Sequence, residues 1–365
     1  MKNRSIATIF ILLAVAAAVQ SQSGRTKNYS ESRVVTDRTD KAVSAKPDIA
    51  DPKASAHPEQ TESDVIKVET DLVIVPFRVS DRSGRTIANI KQNEIKIFEN
   101  GEEREIAYFS DLAQPFTVAL VLDMSYSSVF KLKDIQDAAK KFVAQLRPED
   151  RVMVIAFAEK PIVLCEATND RRILNIAIEG SRIGSGTGLY STLNMVLNDK
   201  LQRITGRKAI VLLSDGVDTS SVHQTAESVE KGLIESDTII YPIKYNTYDD
   251  VQASRRTTAP IQYDDDDRPY TVDIGPAKGE RQEDYAAAKE FLQNIATDTG
   301  GRLYNVTSAT NLDQAFANIA NELRKIYSLG YYPSSERDGG ASFEVKVRIY
   351  RPDLVIRTKE RFLRR

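Results

Sequence analysis

Asp123, Ser125 and Ser127 stand at alternate positions just after an apolar run over residues 116–122, so three oxygen-bearing side chains leave one strand end together. Thr187, within Gly184-Ser185-Gly186-Thr187-Gly188, presents a further hydroxyl ahead of a helix. Asp215 follows a second apolar run over residues 210–213 and places a second carboxylate at the same sheet edge. The chemistry open to this set is that of a hard cation. Mg2+ takes about six oxygens at roughly 2.0–2.1 Å and keeps part of its water, so few charged ligands suffice. Two carboxylates and three hydroxyls meet that demand and leave the ion electron-poor. An electron-poor ion with an open position seeks a carboxylate from a partner, which favours binding over hydrolysis. Composition agrees: among 365 residues there are one cysteine and two histidines, His57 and His223. That excludes cysteine-built zinc sites, His-rich centres and an intrachain disulfide framework. Lys plus Arg (50) nearly balances Asp plus Glu (52), so net charge points to no nucleic-acid partner.

Such a set must be held at the carboxyl ends of strands, where open α/β sheets collect their ligands. Residues 115–327 have the required rhythm of apolar strands alternating with amphipathic helices. Strands are expected over 116–122, 152–157, 210–213, 239–243 and 302–306, and helices over 131–146, 222–235, 283–298 and 311–327. The 38 residues 245–282 break the rhythm and read as a long functional or disordered loop containing Asp264-Asp265-Asp266-Asp267. On either side, period-two alternation marks strands over 72–79 and 94–99, a tight turn at Asn100-Gly101, and a return strand over 104–109. Residues 342–350 and 354–363 read as two more strands. Neither end makes a stable sheet alone. The expected architecture is therefore a doubly wound, mostly parallel α/β sheet flanked by helices, inserted in a small β-sandwich formed by the N-terminal module (65–112) and the C-terminal strands (328–365).

Asp123-Met124-Ser125-Tyr126-Ser127, with Thr187 and Asp215, resembles the metal-ion-dependent adhesion site of von Willebrand factor type A (VWA) domains. That pattern is D-x-S-x-S, then a distant Thr, then a distant Asp, on a doubly wound sheet. The similarity covers about residues 115–327 and fills all five positions; Ser214-Asp215-Gly216 also resembles the family's local context. Phe98-Glu99-Asn100-Gly101 and residues 327–333 resemble the flanks of a group of bacterial exported proteins built around this domain. The resemblance implies Ser125, Ser127 and Thr187 as direct ligands, with Asp123 and Asp215 binding directly or through water. It leaves residues 245–282 unmatched.

Export is expected on independent grounds. Lys2 and Arg4 precede a mostly apolar run over 6–19, and Val19-Gln20-Ser21 fits a small-x-small cleavage rule, so residues 1–21 read as a signal peptide. An uncleaved anchor is the alternative, and no cysteine follows to carry a lipid. Residues 22–64 are too polar to offset their ordering entropy and read as a disordered linker. The protein is expected to be secreted or periplasmic.

Other readings are weaker. The glycines around Thr187 lack the phosphate-cradle spacing and a following Lys. A serine hydrolase would pair Ser125 or Ser214 with His223, yet neither serine sits in a G-x-S-x-G elbow. Asp249, Asp250 and the run 264–267 lack the alternation of a calcium loop. The stretch 249–284 holds ten acids against five bases, and residues from 341 onward eight bases against three acids, both read as solvated faces. Cys165 reads as a small buried hydrophobe. The expected function is a non-enzymatic, exported adhesion protein whose Mg2+ (Mn2+ or Ca2+ being alternatives) engages an Asp or Glu of a protein partner, without nucleic acid or small-molecule cofactor. The competing readings are a metal-assisted hydrolase and a structural module with a vestigial site.

Overall fold

One strand with every side chain buried, Phe116–Asp123, organises the molecule. Val118, Leu120 and Leu122 enter one apolar cluster, and Ala119 and Val121 a second on the opposite face. Alternate residues of a strand point to opposite faces, so a run apolar throughout demands cover on both sides. The computed structural model describes residues 72–363 apart from 111–113, 259–260, 265–267, 272–274 and 334–341. All of them belong to the compact unit Ile66–Arg365. The expected signal peptide and linker lie outside the described residues.

In chain order the first strands are β1 (Val73–Asp81), β2 (Ile95–Glu99), β3 (Glu102–Arg104), β4 (Tyr108–Ser110) and β5 (Phe116–Asp123). Then come α1 (Leu132–Gln145), β6 (Arg151–Phe157), β7 (Pro161–Thr168), α2 (Arg171–Glu179), α3 (Leu189–Met195) and β8 (Arg207–Ser214). There follow α4 (Ala226–Glu235), β9 (Ile239–Tyr245), α5 (Tyr248–Thr258), β10 (Ile261–Tyr263), β11 (Pro269–Thr271) and α6 (Gln282–Asp298). The chain closes with β12 (Tyr304–Val306), α7 (Ala309–Arg324), β13 (Tyr327–Tyr331), β14 (Ser342–Ile349), β15 (Leu354–Thr358) and β16 (Arg361–Leu363).

The fold is α/β, with a mostly parallel central sheet flanked by helices, as the rhythm of residues 115–327 implied. Its order is β12-β9-β8-β5-β6-β7, parallel throughout except for the antiparallel edge strand β7. The chain leaves β5 toward β6 on one side and toward β8 on the other. The carboxyl ends of β5 and β8 therefore flank the switch in strand order, where open sheets place ligands. Local chemistry sets the entry to β5: Asp150 accepts the Phe116 N–H at 2.9 Å and the Arg147 N–H at 2.9 Å, pinning the strand's first residue to the turn before β6. Helix starts follow the capping rule, with Asp170 accepting from Arg172 N–H, Thr225 from Ser228 N–H and Ser308 from Asn311 N–H.

Apart from the β10–β11 hairpin, the remaining strands form two four-stranded sheets, β15-β1-β13-β4 and β16-β14-β2-β3. Strands from both sides of the α/β region pair within each: β1 with β13 and β15, and β2 with β14. Val75, Phe77 and Val79 from one sheet and Ile97, Val345 and Val347 from the other enter a single apolar cluster. Asn100 (φ 48°) and Gly101 (φ 89°) make the β2–β3 turn, a pair of left-handed residues that matches the twist of a two-residue hairpin.

Several sequence expectations need correction. The return strand over 104–109 is two short strands, β3 and β4, that join different sheets. The strand over 354–363 likewise divides into β15 and β16, because the chain crosses from one sheet to the other. The helix expected over 311–327 ends at Arg324, and Tyr327 opens β13 instead. Residues 245–282 are no plain loop: they contain α5 and the β10–β11 hairpin. Cys165 is half-buried rather than buried, on the edge strand β7.

Because β14 and β15 supply neighbours to β2 and β1, removing residues 342–363 is expected to abolish the dispersed amide signals of residues 73–110 in NMR spectra while those of β5, β6 and β8 persist. A 73–110 region that keeps its dispersion contradicts the shared-sheet account.

Candidate metal centre

Asp123 is the last residue of β5, and Ser125 to Ser128 lead into a 3-10 turn over Tyr126–Lys131 that feeds α1. Asp123 Oδ1 accepts the Ser125 N–H at 3.0 Å, and Oδ2 accepts the Ser214 hydroxyl at 2.6 Å. Ser125 Oγ and Ser127 Oγ lie 3.0 Å apart, and Ser127 Oγ donates to Asp215 Oδ2 at 3.4 Å. Four of the five expected residues therefore meet through direct hydrogen bonds. Parallel pairing of β5 with β8 makes this possible, since it sets Leu122 opposite Leu213 and brings both strand ends to one edge.

Thr187 reaches the edge through its loop. Gly184 N–H donates to Met124 O at 2.8 Å, and Gly188 N–H to Ala158 O at 2.7 Å, docking the loop onto the ends of β5 and β6. Thr187 O accepts the N–H groups of Thr219 and Ser220, while the Thr187 N–H donates to the hydroxyls of both. Those partners follow Asp215 in sequence, so the loops bearing Thr187 and Asp215 are laced together. Among the described residues no hydrogen bond joins the Thr187 side chain to the other four. The close approach needs glycine: Gly186 has φ +69°, and a Cβ there would meet Ser220 Oγ at 2.4 Å.

Four further groups support the set, and of these sequence reasoning names only Ser214, without this role. Ser214 donates to Asp123 and also accepts the Gly216 N–H at 3.0 Å. Thr247 donates to Asp215 Oδ2 at 2.5 Å, and its hydroxyl lies 3.0 Å from the Tyr285 hydroxyl. Tyr245, at the end of β9, hydrogen-bonds Ser128. Thr247 and Tyr285 carried no spacing signal, because only the neighbouring of β9 and β8 brings residue 247 beside residue 215. The one hint to Ser214 was its place beside Asp215 at a strand end. Lys131 closes the rim, donating to Asn246 O at 2.8 Å and to Asp250 at 2.9 Å, and so pins the start of α5 to the Ser125–Ser128 loop.

The electrostatics are dominated by two like charges out of water. Asp123 and Asp215 are both buried, and neither forms an ion pair among the described residues. Burial, and then the Asp215 charge, push the Asp123 carboxyl from its ordinary 3.8 up to about 7, against the hydrogen bonds from Ser125 and Ser214. Asp215 is also raised by burial, opposed by Thr247, the Val217 N–H and Lys244. Burial likewise raises the Tyr245 and Tyr285 phenols, which stay neutral. Among the described residues no three His, Cys, Asp or Glu side chains gather into a metal site. The donors here are two carboxylates and neighbouring hydroxyls, a set that fits a hard, oxygen-loving cation. His223 is exposed and makes no hydrogen bond with Ser125 or Ser214, so the hydrolase pairing is not assembled.

Residues 118–217 match the family model of the von Willebrand factor type A domain. The chain is similar to the UPF0353 protein of Mycolicibacterium gilvum, 24% identical over 228 residues, which are 56% of this chain and 60% of that protein. It thus spans about 60% of the length of that relative. Among solved structures it is similar to the conserved hypothetical protein BatB from Bacteroides thetaiotaomicron (16% identity, TM-score 0.38, 57% of this chain and 98% of that one). It is also similar to proximal thread matrix protein 1 from the mussel byssus with a zinc-occupied MIDAS motif (16% identity, TM-score 0.43, 62% and 50%).

The raised Asp123 pKa gives the cation-free fold a defined pH response. A carboxyl whose folded pKa exceeds its unfolded value contributes stability below the unfolded pKa, and loses it as pH rises through the folded one. In EDTA the melting temperature is therefore expected to fall as pH rises from about 4 to about 7, and Asp123→Asn is expected to flatten that slope. An unchanged slope in Asp123→Asn contradicts the assignment.

Proposed function

Because the chain carries a von Willebrand factor type A domain, we propose that Asp123, Ser125, Ser127, Thr187 and Asp215 hold a divalent cation, Mg2+ foremost, through which the protein engages an acidic side chain of a protein partner. The observation that carries this reading is the burial of Asp123 and Asp215 at one sheet edge, ringed by hydroxyls and with no ion pair among the described residues, Lys244 acting on Asp215 only from a distance. A cation held there neutralises the pair. When bound, it supplies an open coordination position that a partner's Asp or Glu completes.

The chain's own groups prepare that position. Ser214 and the Ser125 N–H fix the two oxygens of Asp123, and Thr247 and the Val217 N–H fix those of Asp215. Held in this way, the carboxylates need little reordering when the cation arrives, and their orientation is set by the neighbours. Among the described residues no histidine or lysine hydrogen-bonds a hydroxyl of the site, and we read the protein as a binding protein rather than an enzyme. Export, secreted or periplasmic, follows from the same proposal and from the apolar run after Lys2 and Arg4.

Binding of candidate extracellular partners, compared in Mg2+ and in EDTA, tests the reading. Binding is expected to require the cation and to be lost in Asp123→Ala. Binding that ignores chelation and survives Asp123→Ala overturns it, and chelator-sensitive turnover of a phosphoester or peptide panel would replace it with the hydrolase reading. Thr247→Val is expected to weaken Mg2+ affinity by roughly tenfold or more, the usual effect of losing a group that orients a metal ligand, as read by isothermal titration.

A further inference from the structure

Arg78 on β1 and Arg357 on β15 are directly opposed in the antiparallel register, so both side chains leave the same face of the sheet. On that face Arg78 donates to Glu322 of α7 at 2.5 Å and to the Tyr241 hydroxyl of β9. Arg302, just before β12, brings a third guanidinium to 3.9 Å from Glu322. Glu322 is fully engaged: one oxygen takes Arg78, and the other takes the Tyr304 hydroxyl at 2.6 Å. Three guanidinium charges thus gather around one carboxylate, a surplus of two.

One fork is partly unused and another wholly so among the described residues. Arg78 is 4% exposed, yet its Nη2 finds no acceptor among the described residues. Arg357 is half-buried and makes no hydrogen bond or ion pair among them. Burial first, and then the charges of Arg78 and Arg302, pull the Arg357 pKa below its ordinary value. Glu322 opposes that pull from a distance, but Arg357 has no directly bonded anion among the described residues.

The space for one is present. A cavity of about 790 Å3 opens beside β15, with Arg302 and Arg357 in its wall and the Gly300-Gly301 turn along one side. Gly300 has φ +72°, and a Cβ there would meet the Thr358 carbonyl carbon at 2.8 Å, so the turn lies hard against β15. Lys359 also lines the cavity but is committed elsewhere, donating to the carbonyls of Leu233, Ile234 and Ser236 at the end of α4. Four acids, Glu227, Glu230, Asp298 and Glu360, share the wall with Lys231 and Arg361, so an anion is welcome only beside Arg357 and Arg302 and must be compact.

We propose that this arginine end binds a phosphate group, held by Arg357 and Arg302 and charge-balanced by Arg78. A dianion matches the surplus of two charges, and planar guanidinium forks match the oxygens of phosphate. The phosphate is either the free ion or the head of a small phosphomonoester. The site is separate from the cation centre and does not depend on it.

Isothermal titration and thermal melting of the full chain with inorganic phosphate and with glycerol phosphate, against sodium chloride at matched ionic strength, test the proposal. At least one phosphate source is expected to bind saturably and raise the melting temperature. Saturation by both marks a free-phosphate site, and saturation by glycerol phosphate alone marks a phosphomonoester site. Arg357→Gln is expected to weaken that binding by roughly tenfold or more, with Arg357→Lys intermediate because it keeps charge but not the fork. Should Arg357→Gln melt abnormally, Arg302→Gln provides the same readout from a position outside the strands. Phosphates that act no differently from chloride, or variants that bind as tightly as the parent, overturn it.

Discussion

Everything around the site follows from burying two carboxylates side by side. Asp123 and Asp215 end neighbouring parallel strands, and water is withheld from both. Their charges disfavour each other and the low-dielectric interior disfavours both, which is why Asp123 titrates near neutrality in the cation-free fold. Hydroxyls and N–H groups fix each oxygen but bring no positive charge. The proposed cation would balance the two carboxylates, and the loops already hold the donors in place for it.

Much of this was legible in the chain. The five candidate residues stand out because strand ends, turn glycines and the D-x-S-x-S spacing are all local in sequence; the structure joins four of them by direct hydrogen bonds and ties Thr187 in through its backbone. Full burial of β5 could be read from a run with no alternation, since only a sheet covered on both faces tolerates one. What escaped was whatever depends on which strands are neighbours. Thr247 sits 32 residues from Asp215 and contacts it only because β9 lies beside β8. Short strands escaped for a related reason: β3, β4 and β16 have three residues each, too few for periodicity to show where the chain changes sheet.

The stretch after β9 illustrates both effects. Its acidic composition and missing apolar periodicity hid α5, whose helix is polar on nearly every side. Yet its first residues are tied to the site, through Thr247 to Asp215 and through Lys131 to Asn246 and Asp250. Polar anchoring of this kind leaves no hydrophobic signature. At the far end of the sheet, Arg78 and Glu322 join β1 to α7 through a buried ion pair, so the strand sheets and the α/β region share a polar seam as well as covalent connections. Removing one member of such a pair leaves an uncompensated buried charge, which is the costly case.

Diffraction from crystals of this protein grown with Mn2+ tests the central claim most directly, because Mn2+ scatters anomalously and accepts the same oxygen donors as Mg2+. The expected result is a single strong anomalous peak bounded by Asp123, Ser125, Ser127, Thr187 and Asp215. A map with no peak between Asp123 and Asp215 at saturating Mn2+ contradicts the account.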